Sequence, residues 1–421
     1  MSRRQYNYSN GPDKIQQHSI AKHRILQSYM AAYYQTLVGE RARNEFRLTV
    51  VDGFAGAGEY IHQDTEALVE GSPLILLQAA SEAEFLVNRK REKPVRFDVS
   101  HFFIEKNRDG FGLLKQSLEK RGYGREFDKS IFLRRNKFER ELPGILEFIK
   151  RKSPRNGRAI FVLDQYGYNE VPVPQMRQIM QLLPTAEIIL TFAVDSLLNY
   201  ANDKNLENAL EKIQMPDIFG GRTFEEIKSS EPHWRLFVQS CLYHRLVEGS
   251  GARYYTPFFI RNKDGHGDYW LLHLSHHPRA RDVMTEVHWQ NSNYFIHYGG
   301  AGLDMFQMNG YDPVYDDAFR GQNTLPYGFD DSAKAMSQSV MLEQIARLVR
   351  KYDQGITFGQ LFSDHCNQTP ATARIFGEVV AELAAQREIG ISSITGGRRT
   401  AAASIVASDR IYLLPQRSFV F

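Results

Sequence analysis

The stretch LTVVDGFAGAG at positions 48–58 decides the fold prediction for this chain. An apolar run ends in Asp52 and is followed by Gly53, Gly56 and Gly58. Glycine has no Cβ, so such a loop can take positive φ angles and let a ligand approach its backbone. In doubly wound α/β proteins, a strand followed by such a turn holds a nucleotide-like cofactor at the carboxyl ends of the strands. The stretch therefore predicts a buried strand and a cofactor loop; a glycine turn that only packs a helix on a strand is the alternative.

The loop sequence narrows the class of cofactor. It lacks the GxGxxG fingerprint of dinucleotide sites, which disfavours a nicotinamide enzyme. It also lacks the GxxxxGK[ST] pattern, which disfavours a phosphate-binding P-loop. A carboxylate at a strand end followed by FAGAG suits a cofactor that has an amine and a ribose but no phosphates. S-adenosylmethionine fits this description, and we expect Asp52 to accept a hydrogen bond from its ammonium group.

Composition indicates an ordinary globular protein. The chain has 421 residues, of which 42% are hydrophobic and 24% charged, and its net charge of +3 permits a nucleic-acid partner without requiring one. The two cysteines are far apart and the histidines have no metal-ligand spacing, so we expect reduced thiols and no metal. No segment resembles a signal peptide or a membrane span. We expect a cytoplasmic protein without a membrane partner; the sequence leaves its oligomeric state open.

The first part of the chain alternates strand and helix patterns. Apolar runs that read as buried strands occupy residues 47–52, 97–105, 131–136, 159–164 and 187–192, and helical patterns occupy residues 13–40, 74–87, 108–121, 142–152 and 172–183. Residues 203–250 read as helical, residues 253–261 and 269–275 as a hairpin, and residues 279–290 as a helix. This alternation predicts a doubly wound, mainly parallel sheet with helices on both faces.

The pattern changes near the C-terminus. Three helical segments, residues 341–352, 358–366 and 371–386, precede β-like runs at 389–394 and 403–414 that flank a basic turn. This order is typical of a winged helix-turn-helix. The predicted domains are an N-terminal helical segment (1–46), a Rossmann-like domain (47–295), a linker (296–335) and the winged helix (336–421). Because Glu378 and Glu382 lie on the predicted recognition helix, protein contact and DNA binding both remain open for it.

Polar side chains follow the apolar strands of the first domain. Glu105 is placed to hold ribose hydroxyls, and Asn136 is placed to bond an adenine edge. Asp164 lies where an open parallel sheet places its reaction centre, and it would orient an exocyclic amine while Tyr166 stacks on the base. The alternative for each is a solvated strand-end residue and, for Tyr166, a core aromatic ring. Basic runs near residues 88–96, 134–140 and 150–158 are either solvated surface or contacts to a phosphate backbone.

An ordered set of motifs resembles a known family. KHRIL (22–26), VDGFAGAGEY (51–60), EGSPL (70–74), FIEKN (103–107) and VLDQYG (162–167) are together similar to the three-Cys-motif partner proteins. They also resemble, distantly, the adenine-N6 methyltransferases of large-subunit ribosomal RNA. Both are similar to class I S-adenosylmethionine-dependent methyltransferases. The resemblance covers residues 15 to about 290.

The resemblance implies a role for individual residues. It places the following at the cofactor: His23, Asp52, Phe54, Gly56, Gly58, Ser72, Glu105 and Asn136. Asp164 would position the target amine. The family usually has proline after this aspartate, where the chain has Gln165, so the stiffness of that loop is in question.

Two functions follow as expectations. The first is a methyltransferase that acts on an exocyclic amine of a nucleic-acid base, adenine N6 above all, together with a three-cysteine-motif protein similar to radical S-adenosylmethionine proteins. The second is a catalytically weak or inactive module that binds cofactor and docks a partner, with a winged helix for nucleic acid or protein.

Overall fold

The computed structural model describes residues 6–15, 17–38, 44–89, 91–155, 157–165, 170–199, 203–215, 217–232, 234–260, 269–291, 302–303 and 330–414. The chain forms two compact units, residues 1–287 and 288–421. Of the sequence predictions, Tyr166, the hairpin loop 262–268 and most of the linker 296–335 lie outside the described residues.

A seven-stranded sheet organises the first unit. Its strands are β2 (Glu45–Asp52), β5 (Arg96–Ile104), β6 (Ile131–Arg134), β7 (Ala159–Leu163), β8 (Glu187–Phe192), β9 (Tyr254–Ile260) and β10 (Tyr269–Ser275). Their spatial order is β6-β5-β2-β7-β8-β10-β9, with the first five parallel and β10 antiparallel to both neighbours. In chain order this is 3-2-1-4-5-7-6, which contains the doubly wound 3-2-1-4-5 arrangement. The predicted doubly wound sheet is confirmed.

Helices connect the strands of this unit. They are α1 (Gln17–Val38), α2 (Ser72–Asn88), α3 (Arg108–Lys120), α4 (Phe138–Lys152), α5 (Val173–Leu182), α6 (Val194–Asn199), α7 (Asp203–Lys212), α8 (Phe224–Ser230), α9 (Trp234–Ser250) and α10 (Pro278–Gln290). The region 203–250, read from sequence as helical, is three helices. Thr223 starts a new helix there with a capping box, in which its side chain and Glu226 exchange hydrogen bonds with each other's main chain.

The position of the site follows from the burial and register of the strands. Every residue of β7 and β8 is buried, as expected for parallel strands covered on both faces. Asp52 is level with Phe103 on one neighbouring strand and Val162 on the other. The residues that follow these strands, among them Glu105 and Asp164, therefore emerge at the same edge of the sheet as Asp52.

A small second sheet lies between the glycine loop and α2. It contains β1 (Lys14–Ile15), β3 (Glu59–His62) and β4 (Leu68–Glu70), in the order β1-β3-β4. Because β1 pairs with β3, the chain's first described residues lie beside the glycine loop. The sequence did not predict this sheet, since its strands are only two to four residues long.

The second unit contains the predicted winged helix-turn-helix. Its elements are α11 (Asp331–Val349), β11 (Ile356–Thr357), α12 (Phe358–His365), α13 (Ala373–Ala385), β12 (Ile389–Ser392) and β13 (Arg410–Leu413), and the strands pair as β11-β13-β12.

Three boundaries in this unit were predicted wrongly. The first helix begins ten residues earlier than predicted, because the Asp330 side chain caps it by accepting a hydrogen bond from the Ala333 amide at 2.8 Å. Thr372 caps α13, which begins two residues later than predicted. The predicted run 403–414 is extended only at β13.

Among the residues that the structure describes, no helix has both the length and the apolar character needed to cross a membrane.

Candidate functional site

A cavity of about 1060 Å³ opens at the carboxyl edge of the main sheet. Seven of the residues singled out from the sequence line it, namely His23, Phe54, Gly56, Ser72, Glu105, Asn136 and Asp164. Two others, Asp52 and Gly58, lie beside it without lining it. The volume is at the upper end of the range for small-molecule sites, and the position is where open α/β sheets bind ligands.

The glycine loop takes the conformation that its sequence predicts. Gly56 has φ +62° and Gly58 has φ +80°, both in the left-handed region. Gly53 does not have a positive φ; it is required instead by packing, because a Cβ there would lie 2.8 Å from Leu163 Cδ2. The Gly58 carbonyl accepts a hydrogen bond from the Gly71 amide at 2.8 Å, which ties the loop to the start of α2.

Replacing Gly56 with alanine is expected to weaken S-adenosylmethionine binding by more than about tenfold and to lower the free energy of unfolding by about 1–3 kcal/mol. The added Cβ would have an unfavourable φ and would lie 1.9 Å from the Tyr60 hydroxyl, so the loop must move. Calorimetric titration and urea unfolding would measure the two effects. The control is Gly112→Ala in α3, where a Cβ meets nothing within 4 Å and alanine favours the helix. Equal behaviour of the two variants would contradict the importance of the loop conformation.

Asp52 is fully buried beneath this loop. Its Oδ1 accepts a hydrogen bond from the Phe54 amide at 3.1 Å, whereas Oδ2 has no hydrogen-bond partner among the described residues. Burial raises the pKa of the Asp52 carboxyl from 3.8 to about 7; the nearby Ser72 side chain and the Phe54 amide lower it in part, and the charges of Asp164 and Glu105 raise it. Asp52 is thus a buried acid behind the loop, close to the Ser72 side chain.

Glu105 joins the glycine loop to the end of β5. Its Oε2 accepts a hydrogen bond from the Gly56 amide at 3.0 Å, and its Oε1 accepts one from the Asn107 amide at 2.6 Å. Burial raises the pKa of Glu105, and these two amides partly oppose the rise. A carboxylate oxygen can accept more than one hydrogen bond, so both oxygens retain capacity for ligand hydroxyls.

Asn136 lines the cavity, but its side chain is already engaged. Its Nδ2 donates to Glu141 Oε1 at 2.7 Å, and its Oδ1 accepts from the Lys137 amide at 2.9 Å. These bonds hold the residue at the cavity wall, where it offers contact area and the remaining Oδ1 lone pair.

Asp164 forms an ion pair with Lys22 of α1. Lys22 Nζ lies 2.6 Å from Oδ1 and 2.7 Å from Oδ2, and the lysine ammonium also lies 5.3 Å from the centre of the Tyr269 ring. Burial alone would raise the pKa of Asp164, but Lys22 and, to a smaller extent, Thr191 and His23 hold it below its ordinary value. Asp164 therefore stays ionised and acts as a hydrogen-bond acceptor. The KHRIL motif contains this lysine, but the sequence did not predict its partner.

The residue after Asp164 has a defined structural role. Gln165 is only 3% exposed, and its Oε1 accepts hydrogen bonds from the main-chain amides of Glu170 at 2.9 Å and Val171 at 3.2 Å. The side chain thus ties the end of β7 to the residues just before α5. A proline at this position could not make these hydrogen bonds.

His23 and Ser72 also contribute polar groups to the cavity wall. Burial lowers the pKa of His23 to about 4, an effect that Asp164 opposes in part, so the imidazole is neutral near pH 7. His23 Nδ1 is buried and has no hydrogen-bond partner within the described ranges. Ser72 begins α2, which has Pro73 in its first turn.

The N-terminal segment contributes residues that the sequence did not predict. Tyr6 and Tyr8 line the cavity, and their rings stack with centroids 5.9 Å apart. Tyr8 packs in a small core with Ile15 and Tyr60, and its hydroxyl would lie 3.4 Å from a Cβ at Gly56. The only sequence signal was the pair of tyrosines itself.

The residues of the cavity fit S-adenosylmethionine. Asp52 Oδ2 and His23 Nδ1 are buried polar atoms without hydrogen-bond partners among the described residues. Glu105 and Asp164 line the cavity with carboxylates for a ligand that carries positive charge, and Asp52 is buried beside it. Within the described part of the chain, no group of three or more potential ligands is arranged to hold a metal ion.

The described elements form a doubly wound α/β sheet in the first unit and a winged helix in the second. Residues 310–396 match a family model described as a GMT-like wHTH domain, which confirms the predicted winged helix. No curated protein matches the chain.

Several solved structures are similar to part of the chain. Protein LPL1258 of Legionella pneumophila has 10% identity and a TM-score of 0.33, over 63% of this chain and 90% of its own. A putative S-adenosylmethionine-dependent methyltransferase of Methanococcus maripaludis has 10% identity and a TM-score of 0.26, over 65% and 96%. The human methyltransferase 10 domain containing protein has 10% identity and a TM-score of 0.28, over 60% and 82%.

Proposed function

We propose that this chain binds S-adenosylmethionine in the cavity and methylates an exocyclic amine of a nucleic-acid base, adenine N6 in particular. One observation carries the proposal: Asp164, ionised and held by Lys22, faces the same cavity as the left-handed glycine loop and Glu105. An acceptor for an amine and a set of groups suited to a sulfonium nucleoside are therefore next to each other.

The cofactor supplies a methyl group activated by its sulfonium charge. In the proposed complex Asp52 pairs with the ammonium group and Glu105 holds the ribose. Asp164 accepts a hydrogen bond from the target amine and so directs the nitrogen lone pair toward the methyl group. Because its pKa is held low, Asp164 orients the amine, and the proton that the nitrogen loses passes to water.

Aromatic rings in the cavity wall suit a planar substrate. Tyr269 lies beside the Lys22–Asp164 pair, and Tyr6 and Tyr8 of the N-terminal segment also line the cavity. A base taken out of its stack would be held between such rings. The cavity wall carries both lysines and carboxylates, including the pair Lys106–Glu170, so phosphate contact is expected from the surrounding surface more than from the wall itself.

Methyl transfer and cofactor binding are tested separately. Calorimetry with S-adenosylmethionine and S-adenosylhomocysteine measures binding, and tritiated S-adenosylmethionine with total RNA and DNA measures transfer. We expect binding of both compounds and incorporation of label into RNA or DNA. Binding without incorporation would reject the enzyme and leave a cofactor-binding module; the absence of binding by folded protein would reject both.

The module is a second candidate because of one specific contact. Both Asp164 oxygens accept from Lys22, so an incoming amine must share or displace the lysine. If this pair never opens, the chain binds cofactor without turnover.

The resemblance to the three-Cys-motif partner proteins supports a protein partner for this chain, and we propose that it docks on the winged helix. On α13 the exposed charged residues are Arg374 and Glu382, while Glu378 is paired with Lys334 at 2.8 Å. This helix therefore lacks the basic surface that phosphate contact requires. Co-purification from native cells followed by mass spectrometry would identify the bound protein or nucleic acid.

A further inference from the structure

The two polar atoms of the Gln165 side chain differ in their hydrogen bonding. Its Oε1 faces the main-chain amides of Glu170 and Val171. Since both of these partners are donors, the carboxamide can have only this orientation, with oxygen toward the loop. The amide nitrogen Nε2, with two N–H donors, is therefore the group left for another partner.

The second observation concerns that nitrogen. Within the described part of the chain Nε2 has no hydrogen-bond partner, although Gln165 is buried and lines the cavity. The preceding residue, Asp164, presents an ionised acceptor to the same cavity. Consecutive residues thus offer an acceptor and a donor at the proposed reaction centre.

We propose that Gln165 Nε2 donates a hydrogen bond to the ring nitrogen next to the target amine, while Asp164 accepts from the amine itself. This inference rests on the proposed methyl transfer and specifies its substrate: a base whose amino group adjoins an unprotonated ring nitrogen on the Watson–Crick edge. Adenine (N6 and N1) and cytosine (N4 and N3) have this pattern. At the corresponding ring position guanine and uracil carry N–H, which would oppose the Gln165 donor. Gln165 is thus a specificity residue as well as a brace.

The test compares modified bases on the wild-type chain. Short RNA oligonucleotides carry adenine, 1-deazaadenine or 7-deazaadenine at the methylated position; the first analogue lacks N1 and the second lacks N7, and both keep the amine. We expect kcat/KM to fall by about tenfold to a hundredfold with 1-deazaadenine and to change little with 7-deazaadenine. This comparison requires no variant to fold.

The variant Gln165→Glu separates recognition from bracing. An ionised carboxylate still accepts from the two loop amides, which favour its charged form, but it offers N1 an acceptor in place of a donor. At pH 8.5 we expect S-adenosylmethionine affinity within about twofold of wild type, reduced transfer to adenine, and no remaining preference for adenine over 1-deazaadenine. Gln165→Met, which removes both functions, should also lose the preference.

Three outcomes would overturn the proposed role of Gln165. A wild type that methylates adenine and 1-deazaadenine equally well, or a Gln165→Glu variant that keeps the preference, overturns the role of Gln165 and leaves the methyltransferase standing. A greater loss with 7-deazaadenine shows that the other edge is read and overturns the assignment to N1. A wild type that binds cofactor and methylates no base overturns the proposed function and, with it, this inference.

Discussion

Asp164→Ala is expected to reduce methyl transfer by about a hundredfold to a thousandfold or more while S-adenosylmethionine affinity stays within about threefold. We propose that the carboxylate orients the amine; its charged partner is Lys22 of α1, not a residue of the glycine loop. Single-turnover transfer to the best nucleic-acid substrate, together with calorimetric titration, would measure the two quantities. A variant that retains full activity would show that Asp164 does not position the amine.

Stability needs its own control, because the substitution leaves Lys22 without its counter-ion. The Lys22 side chain is 10% exposed and that of Asp164 is 29% exposed. We expect the free energy of unfolding to fall by about 1–3 kcal/mol, less than for a fully buried pair. The double variant Lys22→Met/Asp164→Ala removes both charges and should recover stability without recovering transfer. Glu139→Gln, an exposed carboxylate at the same cavity, should leave transfer unchanged within about twofold.

Asp52→Asn is expected to stabilise the cofactor-free protein at alkaline pH. The pKa of this buried carboxyl rises from 3.8 to about 7 on folding. A raised pKa means that the carboxyl's contribution to stability is fully present below pH 3.8 and is lost as the pH rises through about 7. The difference between these two pKa values corresponds to about 4 kcal/mol in the free energy of unfolding. The variant carries no such group, so its advantage over wild type should be small at pH 4 and reach a few kcal/mol at pH 8.5.

Urea unfolding of the free protein at several pH values would measure this advantage. The control is Glu84→Gln, which removes an exposed carboxylate of α2 and should show no comparable pH dependence. The same Asp52→Asn variant should bind S-adenosylmethionine more weakly at pH 8, because it lacks the charge proposed to face the ammonium. A stability difference between variant and wild type that is constant from pH 4 to pH 8.5 would show that the pKa of Asp52 is not raised by folding.

Strand positions were predictable because parallel strands covered on both faces are continuous apolar runs, and each run ends at a polar residue. The segment 159–164 illustrates this: it was predicted as a strand ending in an acid, and β7 ends one residue before Asp164. Helix starts were less predictable where a side-chain cap decides them. Asp330 starts α11 in a polar stretch that has no apolar periodicity to announce it.

In the functional site, too, some features were predictable from the sequence and others were not. Positive φ at Gly56 and Gly58 follows from the loop sequence, whereas the need for Gly53 depends on Leu163, which is more than a hundred residues away and fills the space of its side chain. The role of Gln165 likewise could not be read from the sequence, because its partners are main-chain amides and main-chain amides have no sequence signature.

The amino-acid sequence alone determined the alternation of strands and helices, the glycine loop after the first long strand, and the polar residues at the strand ends, because all of these depend on local pattern. Only the tertiary structure decided which side chains meet. It brings Lys22 to Asp164 across 142 positions of the chain, buries Asp52 with one oxygen unpaired, and turns Gln165 so that its oxygen faces the loop. Ion pairs, pKa shifts and amide orientation depend on distances in space and on exclusion of water, which only packing of the whole domain establishes.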